Sequence, residues 1–73
     1  MAKKELFIKE NFIKLDSALK CAGLVSTGGH AKIVIQNGEV KVNGEVCTQR
    51  GRKLKNDDTA EYNGKTIVIK YAG

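Results

Sequence analysis

Val25-Ser26-Thr27-Gly28-Gly29-His30-Ala31-Lys32-Ile33-Val34-Ile35-Gln36-Asn37-Gly38-Glu39-Val40-Lys41-Val42-Asn43-Gly44 decides the architecture. Ser26 or Thr27 can cap a helix, because a short side-chain oxygen accepts from the unpaired N–H groups of a first turn. Ala31, Val34, Ile35 and Gly38 then continue one face, while Lys32 and Gln36 share the opposite side and Ile33 sits off the stripe. Asn37-Gly38 stops the helix, since these residues accept the left-handed conformation that others avoid. The spacing therefore predicts a short helix from Gly28 to Gln36. Val40 and Val42 alternate with Lys41, and Asn43-Gly44 supplies the two positive-φ residues of a tight hairpin before Glu45-Val46-Cys47. Lys41 must then point away from the core.

Outward from this stretch the pattern stays helical on one side and extended on the other. Leu15, Ala18, Leu19 and Ala22 fall at i, i+3, i+4 and i+7, which predicts an earlier helix ended by Gly23, and Glu5 to Lys9 predicts a brief strand before it. Downstream, Asn63-Gly64 separates Thr59–Tyr62 from Lys65–Tyr71 as a second hairpin, with Ile67 and Ile69 on one face and Thr66, Val68 and Lys70 on the other. The expected fold class is α+β: two short helices packed on a small, mostly antiparallel sheet of hairpins, in a single domain over residues 1–73. A chain of 73 residues with no Trp and no Pro buries only about 60% of its unfolded surface. Its core must be aliphatic, and no deep pocket is expected.

The formal net charge is +5, from thirteen Lys and Arg against eight Asp and Glu. Two windows carry the excess. Ser17 to Gly38 holds two Lys and no acid, and Cys47 to Lys55 holds Arg50, Arg52, Lys53 and Lys55 and no acid. Elsewhere the charges nearly cancel. Concentrated cation of this kind favours an acidic partner such as nucleic acid or an anionic membrane surface.

Several classes of function are disfavoured. Cys21 and Cys47 stand far apart with one His, whereas a structural zinc site takes four N or S ligands, so no metal or other cofactor is expected. Both thiols read as buried or half-buried. No carboxylate pair sits where it could flank a bond, and no nucleophile has an evident base, so no catalytic residue and no small-molecule substrate is assigned. The early apolar run Leu6-Phe7-Ile8 is too short for a signal peptide or a membrane span, which predicts a cytoplasmic protein.

The remaining candidates suit phosphate. Gly28-Gly29 opens a helix whose unpaired N–H groups and positive dipole end attract an anion, and His30 in the first turn could donate or stack. Nothing like G-x-x-x-x-G-K-[ST] follows, which excludes a nucleotide-binding P-loop. Arg50, Arg52 and Lys53 are the sharper signal, since the planar guanidinium fork matches phosphate oxygens. Phe7, Phe12, Tyr62 and Tyr71 fall mostly in positions that read as core or strand. Shape and backbone recognition of structured RNA is therefore favoured over an aromatic platform for single strands.

Leu15-Asp16-Ser17-Ala18-Leu19-Lys20-Cys21-Ala22-Gly23, then Ala31-Lys32, then Gly38-Glu39-Val40-Lys41-Val42-Asn43-Gly44 resemble, in order and at family spacing, the RNA-binding domain named for ribosomal small-subunit protein four, also called the alpha-L motif. Thr27-Gly28-Gly29, Gln49-Arg50-Gly51-Arg52-Lys53-Leu54 and the short length are similar to the stand-alone bacterial YaaA-type proteins of that family. The resemblance implies an L-shaped ridge that docks on folded RNA, ribosomal RNA or tRNA, within a ribosomal particle or free. Carried over, the contact surface would comprise Thr27, Gly28, Gly29, His30 and Lys32 at the second helix, Gln36, Lys41 and Asn43 on the hairpin side, and Gln49, Arg50, Arg52 and Lys53 in the basic loop. This chain departs from the family at Gly28 and Ile33, where many members carry a basic residue, at His30, where an acid is common, and at Asp57-Asp58, where Gly-Asp is common.

Two other functions compete. A sulfur carrier of the ubiquitin-like kind would act through the tail Tyr71-Ala72-Gly73, although such tails end in Gly-Gly and two early helices suit that fold badly. An accessory subunit could instead use the basic face to hold an acidic protein or duplex DNA. The sequence does not fix an oligomeric state.

Overall fold

The computed structural model describes residues 2–71. The elements run β1 (Ala2–Phe7), β2 (Ile13–Lys14), α1 (Leu15–Cys21), α2 (Gly28–Gln36), β3 (Val40–Val42), β4 (Glu45–Val46), β5 (Lys53–Leu54), β6 (Thr59–Tyr62) and β7 (Lys65–Lys70). Five strands form a sheet in the order β1-β7-β6-β3-β4, and β2 pairs with β5 in a second, two-stranded sheet. All pairings are antiparallel except β1 with β7. The α+β arrangement of two helices on a mostly antiparallel sheet is the one the spacing predicts.

Each helix forms where its apolar stripe requires. Leu15, Ala18 and Leu19 of α1 and Ala31, Val34 and Ile35 of α2 are buried. They meet Val40, Val42, Ala60, Ile67 and Ile69 of the sheet in one core. Of the two possible caps, Thr27 is used: its Oγ1 accepts from the His30 N–H at 3.1 Å. Both hairpins turn on Asn-Gly pairs with positive φ, 52° and 87° at Asn43-Gly44 and 54° and 77° at Asn63-Gly64. That geometry matches the right-handed twist of the flanking strands.

Three expectations are corrected. The first strand is Ala2–Phe7 rather than Glu5–Lys9, because its register is set by pairing alongside β7, Leu6 opposite Ile69, and not by its own alternation. The basic loop is not loop throughout: Lys53-Leu54 is a strand opposite Ile13-Lys14, with Leu54 wholly buried. Cys47 is buried, but Cys21 is exposed, because two residues beyond Leu19 the α1 surface has turned away from the apolar stripe.

The turn before β6 clasps the final strand. Asp57 holds a φ of 74° where the family pattern has Gly. Its N–H donates to the Ile69 carbonyl at 2.7 Å, and the Ile69 N–H donates to the Asp58 carbonyl at 2.8 Å. The Asp57 carboxylate also pairs with Lys70 Nζ at 2.8 Å. That hydrogen bond, with the attraction of the same charge, raises the Lys70 pKa above its ordinary value. No helix among the described residues is long and apolar enough to cross a membrane.

Candidate nucleic-acid interface

The basic loop is positioned by its main chain. The Cys47 N–H donates to the Val40 carbonyl at 3.0 Å and continues the hairpin, and the Arg52 N–H donates to the Gln49 carbonyl at 3.1 Å to close a turn. Helix α1 begins at Lys14, which offers no side-chain cap. Its first N–H groups are satisfied by the loop instead: Leu15 donates to the Arg52 carbonyl at 2.8 Å and Asp16 to the Arg50 carbonyl at 3.2 Å. Buried N–H groups at a helix start need such acceptors. The carbonyls of Arg50 and Arg52 thus turn inward, while both residues and Lys53 remain exposed.

Among the described residues these cations have no carboxylate partner. Among the described residues the one ion pair is Lys70 with Asp57, outside the loop. Lys53 Nζ instead sits 4.9 Å from the centre of the Phe12 ring, a contact that leaves its positive charge uncompensated. Gln49, Gly51, Arg52, Lys53, Lys55 and Asp58 line an open groove. The single carboxylate there is tied down: Asp58 Oδ2 accepts from the Lys55 N–H at 2.8 Å and Oδ1 from Asn43 Nδ2 at 3.2 Å. Lys55 belongs to this groove although it stood outside the residues assigned from the family pattern.

Asn43 has a structural role in addition to its turn. Its Oδ1 accepts from the Thr59 N–H at 3.0 Å and from Thr59 Oγ1 at 3.3 Å, and Nδ2 donates to Asp58. One amide hydrogen remains for a ligand. Asn43→Ala places a methyl side chain at positive φ and removes these bonds, so it should lower stability by about 2 kcal/mol in chemical denaturation. Asn43→Gly restores the backbone freedom and should recover part of that loss.

The tip of α2 forms a second group. Thr27, Gly28, Gly29, His30 and Lys32 are exposed, and the His30 ring packs edge-on to Tyr62 with centroids 6.3 Å apart. Since Thr27 already occupies the His30 N–H, the N–H groups of Gly28 and Gly29 are those left at the helix start. A Cβ on Gly28 would meet nothing within 4 Å, so the site has room for the basic side chain that many family members carry there. Gln36 and Lys41 are exposed on α2 and β3, and Lys41 points away from the core as its alternation requires.

Both groups border β6. The C-terminal end of the basic loop is tied to its Thr59 end through Asp58 and Asn43, the loop begins at Cys47 beside Val40, which pairs with Tyr62, and His30 packs on Tyr62. Gln49, Arg52 and Lys53 share one groove with Lys55 and Asp58, to which Asn43 is bonded, and the α2 tip forms a second exposed group. Phe7, the last residue of β1, is 70% exposed.

Comparison with known proteins identifies the family and agrees with the fold. The S4 domain family matches residues 6–70. The Escherichia coli (strain K12) protein named putative RNA-binding protein YbcJ is 33% identical over 61 residues, covering 84% of this chain and 87% of that protein. Its solution structure, described as revealing an alpha-L motif involved in RNA binding, superposes with a TM-score of 0.68 over 96% of this chain and 87% of that one. The Bacillus subtilis (strain 168) protein named probable ribosome maturation protein RlbA is 40% identical over 57 residues, covering 78% and 80% of the two chains. The 30S ribosomal protein S4e of Thermoplasma acidophilum, 25% identical, superposes with a TM-score of 0.67 over 80% of this chain, which spans only 31% of that protein. With the match running through both helices, both hairpins and the basic loop, the chain belongs to the S4 domain family.

Proposed function

We propose that this protein binds structured RNA, ribosomal RNA or tRNA, free or within a ribosomal particle, and catalyses no reaction. The observation that carries this reading is the basic loop. Arg50, Arg52 and Lys53 are exposed and, among the described residues, without an ion-pair partner, on a backbone fixed to the start of α1. With the backbone already fixed, only side-chain freedom is lost when the guanidinium forks engage phosphate oxygens. The α2 tip, packed through His30 on Tyr62 of β6, offers N–H donors to a second phosphate run. Two spaced anion contacts suit the backbone of a folded RNA better than a small ligand. The names of the relatives, an RNA-binding protein and a ribosome maturation protein, support the same class of partner.

The test is the salt dependence of binding to a folded RNA. Each neutralised phosphate releases counterions, so three or four contacts should make log K fall with log salt at a slope of about −2 to −4. A salt-independent affinity, or equal displacement by duplex DNA and by RNA, would overturn the proposal. The C-terminal Ala72-Gly73, on which the sulfur-carrier alternative depends, lie outside the described residues.

A further inference from the structure

An apolar groove of about 500 Å³ opens where β1 ends, lined by Leu6, Phe7, Ile8, Phe12, Ile13 and Cys21, with Lys9 and Glu10 at its rim. Its walls are unusual for so small a protein. Phe7 is 70% exposed, Phe12 is half-buried and Cys21 is exposed, so two aromatic rings and a thiol border open solvent. Large apolar side chains left uncovered together mark a contact surface more often than chance.

The position of the groove indicates what covers it. Phe12 forms one wall, and the ammonium of Lys53, a member of the basic loop, lies 4.9 Å from its ring centre. The pairing of β2 with β5 sets Lys14 opposite Lys53 and Ile13 opposite Leu54. The groove is therefore continuous with the basic loop, and a cation and an aromatic face stand within the span of one nucleotide. We propose that this groove receives an unpaired nucleobase of the RNA held by the basic loop, stacked against Phe7 and Phe12, with its phosphate against Lys53. The proposal rests on the RNA-binding reading above and specifies the partner: a paired RNA segment flanked by an unpaired nucleotide.

Two physical points favour a base over another protein surface. Every base has an apolar face for an aromatic ring, and a cation beside that ring suits the attached phosphate. A stable protein interface takes roughly 20–30 residues on each side, whereas eight residues line this groove and its rim. A flat stacking partner needs no more.

The experiment compares two probes, a blunt RNA duplex and the same duplex with an unpaired adenosine extension at one end. The wild-type protein should bind the extended duplex more tightly, and 2-aminopurine placed in the extension should change its fluorescence on binding. Phe7→Ser, at an exposed position that the core does not use, should weaken binding to the extended duplex by about five- to tenfold, the lower end of the stacking range. It should leave the blunt duplex unaffected. Alkylating the exposed thiol of Cys21 with N-ethylmaleimide, which fills the groove without a substitution, should reproduce the effect. Equal binding of both RNAs by the wild type, or an unchanged preference in Phe7→Ser, would overturn this proposal and leave the RNA-binding reading standing. Binding of neither RNA would remove both. Self-association of the wild type in sedimentation, abolished by Phe7→Ser, would assign the groove to a second copy of the chain and overturn it as well.

Discussion

Replacing Arg50, Arg52 and Lys53 together with Ala should weaken binding to folded RNA on the order of a hundredfold near physiological salt, at roughly 1 kcal/mol for each exposed charge-assisted contact. The salt slope should fall in magnitude by about 2 to 3, because three fewer counterions are released. Thermal denaturation should change little. The reason lies in how the loop is held: its contribution to the fold is made by the carbonyls of Arg50 and Arg52, which accept from Asp16 and Leu15, and Ala keeps both. The side-chain interaction lost among the described residues is the contact of Lys53 with Phe12, worth about 0.5–1 kcal/mol at an exposed site. A triple variant that retains wild-type affinity at every salt concentration would exclude the basic loop from recognition.

Leu54→Ala should have the opposite signature. Leu54 is completely buried and follows directly on the cations, so it anchors the end of the basic loop in the core against Ile13 of β2. Truncating a buried Leu costs about 2–5 kcal/mol through lost transfer energy and the cavity left behind. A domain of 73 residues has a total of only about 4–11 kcal/mol to lose. The variant should melt at a markedly lower temperature or be partly unfolded at room temperature. Its RNA binding should then fail together with its circular dichroism signal. Leu54→Met conserves volume, should cost less than about 1.5 kcal/mol, and should bind RNA as the wild type does. Comparing the two variants separates loss of fold from loss of contact.

Local signals in the sequence define most of this molecule because local physics fixes most of it. The α2 limits, Gly28 and Gln36, follow from a cap, a 3.6-residue stripe and an Asn-Gly stop. Both hairpins follow from Asn-Gly pairs, which adopt positive φ readily. What stayed hidden depends on partners remote in the chain. Nothing in Ala2–Phe7 announces that it lies parallel to β7, and two-residue strands such as Lys53-Leu54 are too short to show a period. The candidate site divides the same way. Residue type pointed to Arg50, Arg52 and Lys53, but the inward turn of the Arg50 and Arg52 carbonyls is a tertiary fact. Phe7 reads as core or strand, and its exposure follows from its place at the end of β1, the edge strand of the sheet. Cys21 reads as part of an apolar helix, and only the rotation of α1 places it outside.

The carbonyls that complete the first turn of α1 also limit what this scaffold can become. Inserting or deleting a residue between Gln49 and Lys53 would pull two acceptors away from amide hydrogens that have no substitute nearby, and would unravel the neighbouring helix. New specificity can therefore arise by exchanging side chains at fixed positions but not by changing the length of the segment. A ligand of this segment would then have to fit a backbone of fixed length, and its own adjustment would carry the cost of any mismatch.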